Sequence, residues 1–210
     1  INMYSTYGIT MNKDMLEEAG LMDLAESMDS WSDFKALLLA VKAAYPDVVP
    51  LFCSHQSLVS PAVPQYDLSS DKFSENKSII QLGDPNYLIY LDQESETVHN
   101  IYEEEWYRKM LERVDEWYKE DLIYKDAPVT NEDYSTLLNN GSVFSYCSPG
   151  EGTAEERLAN SQALVPDHEL YYKVICEGQP TASNVTMFGY AVPFTSQEPE
   201  AAVKFLNLMY

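Results

Sequence analysis

The sequence predicts an α/β fold in three layers, a mixed sheet with helices on both of its faces. The first fifty residues have the pattern strand, helix, helix, strand. Residues 103–118 carry the strongest amphipathic helix pattern, and residues 185–210 place a strand directly before a second amphipathic helix. A strand that leads into such a helix is half of a β-α unit, so it requires a sheet on which both can pack.

The first strand and helix are marked by residues with special backbone roles. Residues 3–11 are strand-like, and Gly8 marks a bend or a close approach of another segment. Asn12 is placed to cap a short helix over residues 13–19, which Gly20 ends.

A second helix begins at a capping-box pattern, Ser30-Trp31-Ser32-Asp33, in which Asp takes the place of Glu. It ends before Pro46, because proline cannot donate a helical hydrogen bond. The apolar run 48–53 that follows predicts a short buried strand.

The rest of the chain alternates in the same way. Two runs, 87–92 and 97–102, predict a hairpin, and the helix over 103–118 follows it. The later elements are a helix capped by Thr130 or Asn131 that stops at Asn140-Gly141, a strand over 142–147, a turn over 148–152, a helix over 153–161 and a strand over 170–176.

These elements predict a sheet and a core. We expect the sheet to contain residues 7–11, 49–53, 142–146 and 185–192. Four large side chains of the two amphipathic helices should be buried: Trp106, Trp117, Phe205 and Leu206. No repeat or linker divides the chain, so residues 1–210 are predicted to form a single α/β lobe. The last helix runs to Tyr210 without a cap, which predicts a piece of a longer protein.

The chain is strongly acidic. Its 34 acidic and 13 basic residues give a formal charge of -21. This excess repels phosphate backbones and anionic membranes, so nucleic acid is a poor partner, and the charge serves solubility. No apolar run reaches the length of about eighteen residues that a transmembrane helix needs.

Three cysteines, Cys53, Cys147 and Cys176, are too few and too scattered for a disulfide framework. None lies in a C-x-x-C motif, so a structural zinc site is not expected. An odd count leaves at least one thiol free or paired outside the chain. Cys53 and Cys147 end apolar runs and are predicted to be small buried side chains.

Motifs for catalysis and for cofactors are missing from the sequence. It has no G-x-S-x-G, G-x-G-x-x-G or P-loop, and its three histidines form no H-x-x-x-H pair. Cys53 and His55 alternate on an extended chain and point to opposite faces, so they make no nucleophile–base pair. We therefore expect neither an enzyme nor a bound cofactor or metal.

Four segments in order carry a family resemblance. They are residues 7–20 (YGITMNKDMLEEAG), 30–34 (SWSDF), 117–126 (WYKEDLIYKD) with Phe144 after Asn140-Gly141, and 189–193 (GYAVP) with Pro199-Glu200-Ala201-Ala202 and Lys204-Phe205-Leu206. Together they resemble the extracellular solute-binding proteins of ABC importers, in the branch that contains maltose-binding protein. They are similar in particular to a subgroup of Gram-positive sugar-binding lipoproteins.

Complete members of that family have two α/β lobes joined by a hinge, with the ligand in the cleft between them. The resemblance implies that this chain is the second lobe alone, of the type II periplasmic-binding-protein fold. It also implies a sugar or oligosaccharide ligand, a membrane permease as partner, a monomer, and a place on the cell surface as a lipoprotein whose tether lies outside this chain.

Two loops match the cleft-lining positions of the family. The loop after Phe52 carries four polar candidates, Ser54, His55, Gln56 and Ser57. The turn from Ser148 to Glu151 has Gly150 where relatives often present an aromatic side chain. Both loops follow strands, and open α/β sheets bind ligands at the carboxyl ends of their strands. The alternative for the first loop is an ordinary surface loop. Tyr7 and Tyr190 are further candidates, with packing in the core or hinge as their alternative.

Two other functions remain open. A glycoside hydrolase with an unrecognised active site would have a carboxylate pair that faces across about 5–10 Å of the cleft. An extracellular interaction module would instead have a large exposed apolar patch and no cleft.

Overall fold

The computed structural model describes residues 5–53, 70–73, 79–82, 89–92, 95–126, 129–130, 132–178 and 191–209. Its helices are α1 Lys13–Glu18, α2 Met22–Ser27, α3 Trp31–Ala44, α4 Glu105–Lys119, α5 Tyr134–Asn139, α6 Ala154–Leu164 and α7 Pro199–Met209. Its strands are β1 Ser5–Asn12, β2 Val49–Phe52, β3 Ile79–Leu82, β4 Ile89–Asp92, β5 Thr97–Asn100, β6 Val143–Glu151 and β7 Leu170–Gly178. This alternation confirms the predicted α/β class.

The main sheet has four strands in the order β2-β6-β1-β7. β1 is antiparallel to both of its neighbours, and β2 pairs in parallel with β6. The carboxyl ends of β2, β6 and β7 and the amino end of β1 therefore share one edge of the sheet. Below, this edge is called the carboxyl edge.

Three of the four strands predicted for the sheet are confirmed, namely 7–11, 49–53 and 142–146. Residues 185–190 lie outside the described residues, and Ala191 and Val192 are not in a strand, so that strand does not extend to residue 192. β7 lies beside β1 instead. The predicted hairpin forms a separate sheet with β3, a strand that the sequence analysis missed.

Two apolar cores pack against the main sheet. Successive residues of β2 alternate between them, with Leu51 and Cys53 in the first core and Phe52 in the second. Because neighbouring strand residues point to opposite faces, the two cores lie on opposite sides of the sheet near the end of β2. The first core joins α1 to α4, and the second contains residues of α5 and packs against Leu158 of α6. Helices therefore cover both faces, as predicted.

The predicted helix ends are present. The Asn12 side chain accepts a hydrogen bond from the Met15 amide at 3.1 Å, and Ser30 Oγ accepts one from the Asp33 amide at 3.1 Å. Gly20 and Gly141 have φ values of 68° and 72°, the left-handed conformation that ends helices. The cap of α5 differs, because Asp133 accepts the Ser135 amide at 2.9 Å, rather than Thr130 or Asn131 serving as the cap.

The burial predictions divide between the two amphipathic helices. In α4, Trp117 is 1% exposed, with its ring centroid 6.0 Å from that of Phe34, which confirms its predicted burial. Trp106 is only half-buried, against the first core, so its predicted burial is met in part. In α7, Phe205 is 62% exposed and Leu206 is only partly buried, so the prediction for this helix is wrong. The physical reason is that neither core of the described residues includes a side chain of α7.

Gly8 allows the sheet to be covered by an aromatic ring. A Cβ atom at this position would lie 2.5 Å from Cζ of Tyr172 and 2.6 Å from the carbonyl oxygen of Lys173. Both distances are far below van der Waals contact, so only glycine fits without a shift of backbone. The predicted close approach at Gly8 is confirmed.

We expect Gly8→Ala to lower the free energy of unfolding by about 1–3 kcal/mol, as overpacking does. The direction of this change in stability is informative, because alanine in a strand interior normally stabilises a protein relative to glycine by roughly 0.5–1 kcal/mol. Urea unfolding of the two proteins measures the difference. The double variant Gly8→Ala/Tyr172→Ala should recover part of the loss, and a stabilising Gly8→Ala would contradict the contact.

The two leucines Leu38 and Leu208 provide a matched test of the packing of α3 and α7. Leu38 is fully buried in α3, whereas Leu208 is 86% exposed in α7. In the 210-residue chain, Leu38→Ala should lower the free energy of unfolding by about 2–5 kcal/mol. Leu208→Ala should change stability by less than about 0.5 kcal/mol. A large cost at Leu208 by chemical denaturation would show that α7 packs within this chain.

Candidate functional site

The segment from Ser148 to Glu151 belongs to a strand, so the predicted turn at this place is wrong. β6 runs to Glu151 because its pairing with β1 continues through Thr6 opposite Gly150 and Ser5 opposite Glu151. The described pairing of β6 with β2 ends earlier, at Phe52 opposite Tyr146. Pro149 therefore lies where only one side of β6 has a described partner, a position that tolerates a residue without an amide hydrogen.

The register brings four of the predicted site residues to the carboxyl edge. Tyr7 lies opposite Pro149, and Gly8 lies opposite Ser148, so Tyr7 is next to the segment that holds Ser148, Gly150 and Glu151. The Tyr7 side chain is half-buried and packs against the first core, which matches the alternative given for it. A ligand role for these residues stays a prediction.

The other predicted site residues lie outside the described residues. These are Ser54, His55, Gln56 and Ser57, and also Tyr190. The first four directly follow Cys53, the residue that continues β2 at the carboxyl edge. Cys53, the last described residue before them, lies at the edge to which the register brings Ser148 and Glu151.

An aromatic group beneath this edge was missed by the sequence analysis. The rings of Tyr134 and Tyr146 stack with centroids 3.9 Å apart and an interplanar angle of 22°. Phe52 and Tyr124 extend the group, with centroids 5.4 Å apart. Tyr134 is half-buried. The available signal was Asp133-Tyr134-Ser135: once Asp133 is taken as the helix cap, Tyr134 becomes the first residue of α5 and faces the sheet.

Hydroxyl groups link this aromatic group, and the nearby Tyr172, to their surroundings. The hydroxyls of Tyr146 and Ser161 are 3.0 Å apart, and the Tyr172 hydroxyl donates to the carbonyl of Thr6 at 3.4 Å. Burial, with the nearby Tyr146, raises the pKa of Tyr134 above its ordinary value. Burial also raises the pKa of Tyr172, while Arg157 opposes the rise. Both hydroxyls therefore stay neutral at physiological pH and act through hydrogen bonds rather than as anions.

The two thiols at the carboxyl edge are also neutral. Burial raises the pKa of Cys53 to about 12. Burial and the adjacent Cys53 raise that of Cys147. A thiol is nucleophilic only as the thiolate, so neither cysteine provides a catalytic nucleophile near neutral pH.

The part of the chain that the structure describes contains neither a metal cluster nor a membrane-spanning helix. No group of three or more His, Cys, Asp or Glu side chains is arranged there to hold a metal ion. None of the helices described there has both the length and the apolar character to cross a bilayer.

The chain matches no family model and no curated protein by sequence. It does match solved structures. The N-glycan transport solute binding protein of Streptococcus pneumoniae has 18% sequence identity and a TM-score of 0.73, over 99% of this chain and 41% of that chain. The complex of that protein with Man5GlcNAc gives a TM-score of 0.65, also at 18% identity over 99% of this chain and 41% of that one.

A second protein shares the fold. The alginate-binding protein AlgQ2 without calcium ion has 18% identity and a TM-score of 0.53, over 81% of this chain and 32% of that chain. This chain thus spans well under half the length of the solved proteins it resembles. It has the fold of one lobe of a periplasmic binding protein, which confirms the fold expected from the sequence.

Proposed function

We propose that the protein is the substrate-binding component of an ABC importer and that it captures a sugar or oligosaccharide. The observation that carries the proposal is the match over 99% of this chain to a solute-binding protein that has been solved with glycans. The four sequence segments that resemble sugar-binding lipoproteins support it independently of the coordinates.

The carboxyl edge has the chemistry that a carbohydrate needs. Sugar hydroxyls bind hydrogen-bond donors and acceptors, carboxylates among them, and the apolar faces of sugar rings pack on aromatic side chains. Ser148 and Glu151 reach this edge in β6, next to Tyr7. The half-buried Tyr134 lies beneath it. We infer that Ser54, His55, Gln56 and Ser57 complete this half of the site from the end of β2.

We infer that the remainder of the protein supplies the other half. α7 exposes three apolar side chains, Val203, Phe205 and Leu208, at 49%, 62% and 86%. Burying such a side chain is worth about 1.5–3 kcal/mol, so leaving three of them in water is costly. A second lobe that packs on α7 removes this cost and closes the cleft over the ligand.

The further parts of the proposal follow from the family resemblance. A membrane permease receives the sugar, the binding protein works as a monomer, and a lipid tether outside this chain holds it on the cell surface. Each of these belongs to the whole protein rather than to the 210 residues alone.

Glycoside hydrolysis is the rival that the same fold permits. It requires two carboxylic groups that face each other across the cleft. Glu151 of β6 and Glu177 of β7 both lie at the carboxyl edge, so the assay for new reducing ends described below decides between binding and hydrolysis.

Calorimetry with the complete protein and with residues 1–210 tests the proposal. The ligands are Man5GlcNAc and a panel of mono- and oligosaccharides, with an amino acid as a negative control. We expect the complete protein to bind one of the sugars and the 210-residue chain to bind it at least about a hundredfold more weakly, roughly 2.7 kcal/mol. The reason is that hinge closure buries the ligand between two surfaces, and one surface leaves it half in water.

Variants locate the site. Tyr134→Ala should weaken sugar binding by the complete protein, whereas Tyr102→Ala, at a side chain 59% exposed elsewhere on the chain, should not. Urea unfolding checks that both variants stay folded. Equal affinities of the complete protein and the 210-residue chain would contradict the two-lobe argument, and release of new reducing ends would identify a hydrolase.

A further inference from the structure

The structure shows no disulfide among the three cysteines of the chain, and all three are buried. Two of them lie side by side, one just after β2 and the other within β6. Phe52 of β2 pairs in parallel with Tyr146 of β6, and the next residue of each chain segment is a cysteine, Cys53 after Phe52 and Cys147 after Tyr146. Both of these cysteines belong to the first core, so their side chains leave the sheet on the same face.

This arrangement satisfies the distance requirement for a disulfide. Neighbouring strands lie about 4.7–4.9 Å apart. A disulfide joins residues whose Cα atoms are about 4.4–6.8 Å apart. Residues at the same level of β2 and β6 fall within that range.

The third cysteine provides an internal control. Cys147 lies opposite Ile9 of β1, whereas Cys176 lies opposite Tyr7 on the other side of that strand. Two strand spacings, roughly 9–10 Å, therefore separate the backbones of β6 and β7. That separation exceeds the reach of a disulfide without backbone movement.

We propose that Cys53 and Cys147 are a disulfide modification site, which a low-molecular-weight disulfide such as oxidised glutathione oxidises and which links the end of β2 to the middle of β6. The thiolate of one cysteine attacks a sulfur of oxidised glutathione, and one glutathione thiolate leaves. The second cysteine, as its thiolate, attacks the protein sulfur of the mixed disulfide and releases a second glutathione thiolate. The two protein thiols lose two protons and two electrons, which yield two reduced glutathione molecules.

The bond has a structural consequence at the candidate site. Cys53 precedes Ser54, and Cys147 precedes Ser148, so the link ties together the two segments that carry predicted ligand contacts. Because both thiols are buried and have raised pKa values, exchange in the folded protein requires a local opening of the sheet.

The unfolded chain favours a different product. Cys147 and Cys176 are 29 positions apart (176 − 147), and Cys53 and Cys147 are 94 apart (147 − 53). Loop-closure entropy then favours the Cys147–Cys176 bond about sixfold in the unfolded chain. A Cys53–Cys147 bond therefore reports the folded sheet rather than chance encounter.

The test is to incubate the 210-residue protein with oxidised glutathione at mildly alkaline pH, with and without urea below the unfolding midpoint. A third sample is held in fully denaturing urea. Free thiols are trapped with N-ethylmaleimide, and the linked peptides are identified by mass spectrometry. We expect the Cys53–Cys147 link in at least tenfold excess over other links in one or both native samples, and an excess of Cys147–Cys176 in the denatured sample.

Two variants control the assignment. Cys176→Ser should leave the link and its yield unchanged, and Cys53→Ser should abolish it and leave Cys147 either as a free thiol or as its mixed disulfide with glutathione. If a variant does not fold, the peptide map of the unaltered protein still shows which two cysteines are linked and so decides whether the proposal holds. Links that involve Cys176 in the native samples, or three trapped thiols in both of them, overturn the proposal.

Discussion

The contact between the Tyr172 ring and the backbone of Gly8 is the constraint on which the main sheet depends. β1 is one of the two central strands of the main sheet, and its Tyr7, Ile9 and Met11 contact the first core, so a shift in β1 reaches both neighbouring strands and that core. The pairing of β1 with β7 slips at this point, since Gly8 lies opposite Val174 and Tyr7 lies opposite Cys176. The extra residue, Ile175, is a β-bulge, and it allows Ile175 and Cys176 both to enter the first core. Glycine, bulge and covering ring therefore form one unit.

The parts of this fold that could be predicted from sequence are those set by local chemistry. Side-chain caps at Asn12 and Ser30 and the periodicity around Trp117 specify their helices without reference to distant residues. The segment from Ser148 to Glu151 could not be predicted in this way, because proline and glycine indicate a turn locally while the ladder with β1 extends the strand. The prediction that Phe205 is buried was wrong for a related reason, because helical periodicity shows which face of a helix is apolar but not what covers that face. The candidate site depends on register between distant strands, which no local pattern contains.

Among the few cations of this acidic chain, Lys35 links two helices, whereas several others pair with an acid four residues away. Lys35 of α3 donates to Glu116 and Glu120 of α4 at 2.6 and 2.9 Å, and those two carboxylates raise its pKa. Both acids are substantially exposed, so such pairs contribute little to stability. They fix the rotation of α4 relative to α3, while the buried contact between Phe34 and Trp117 supplies the free energy. The Lys35 ion pairs therefore orient α4 against α3, and the buried apolar contact between these helices stabilises them.

The same charge bears on the class of ligand that the carboxyl edge can accept. A formal charge of -21 creates a negative potential that repels anions over about one Debye length, roughly 8 Å at physiological ionic strength. A neutral sugar experiences no such repulsion, because it binds through hydrogen bonds and ring packing. Four groups near the edge are neutral because burial raises their pKa values: the hydroxyls of Tyr134 and Tyr172 and the two thiols. Glu151 and Glu177 add carboxylates at the same edge. The proposed sugar site should therefore favour neutral carbohydrates over uronic acids or phosphorylated sugars, and the preference should weaken as salt screens the field.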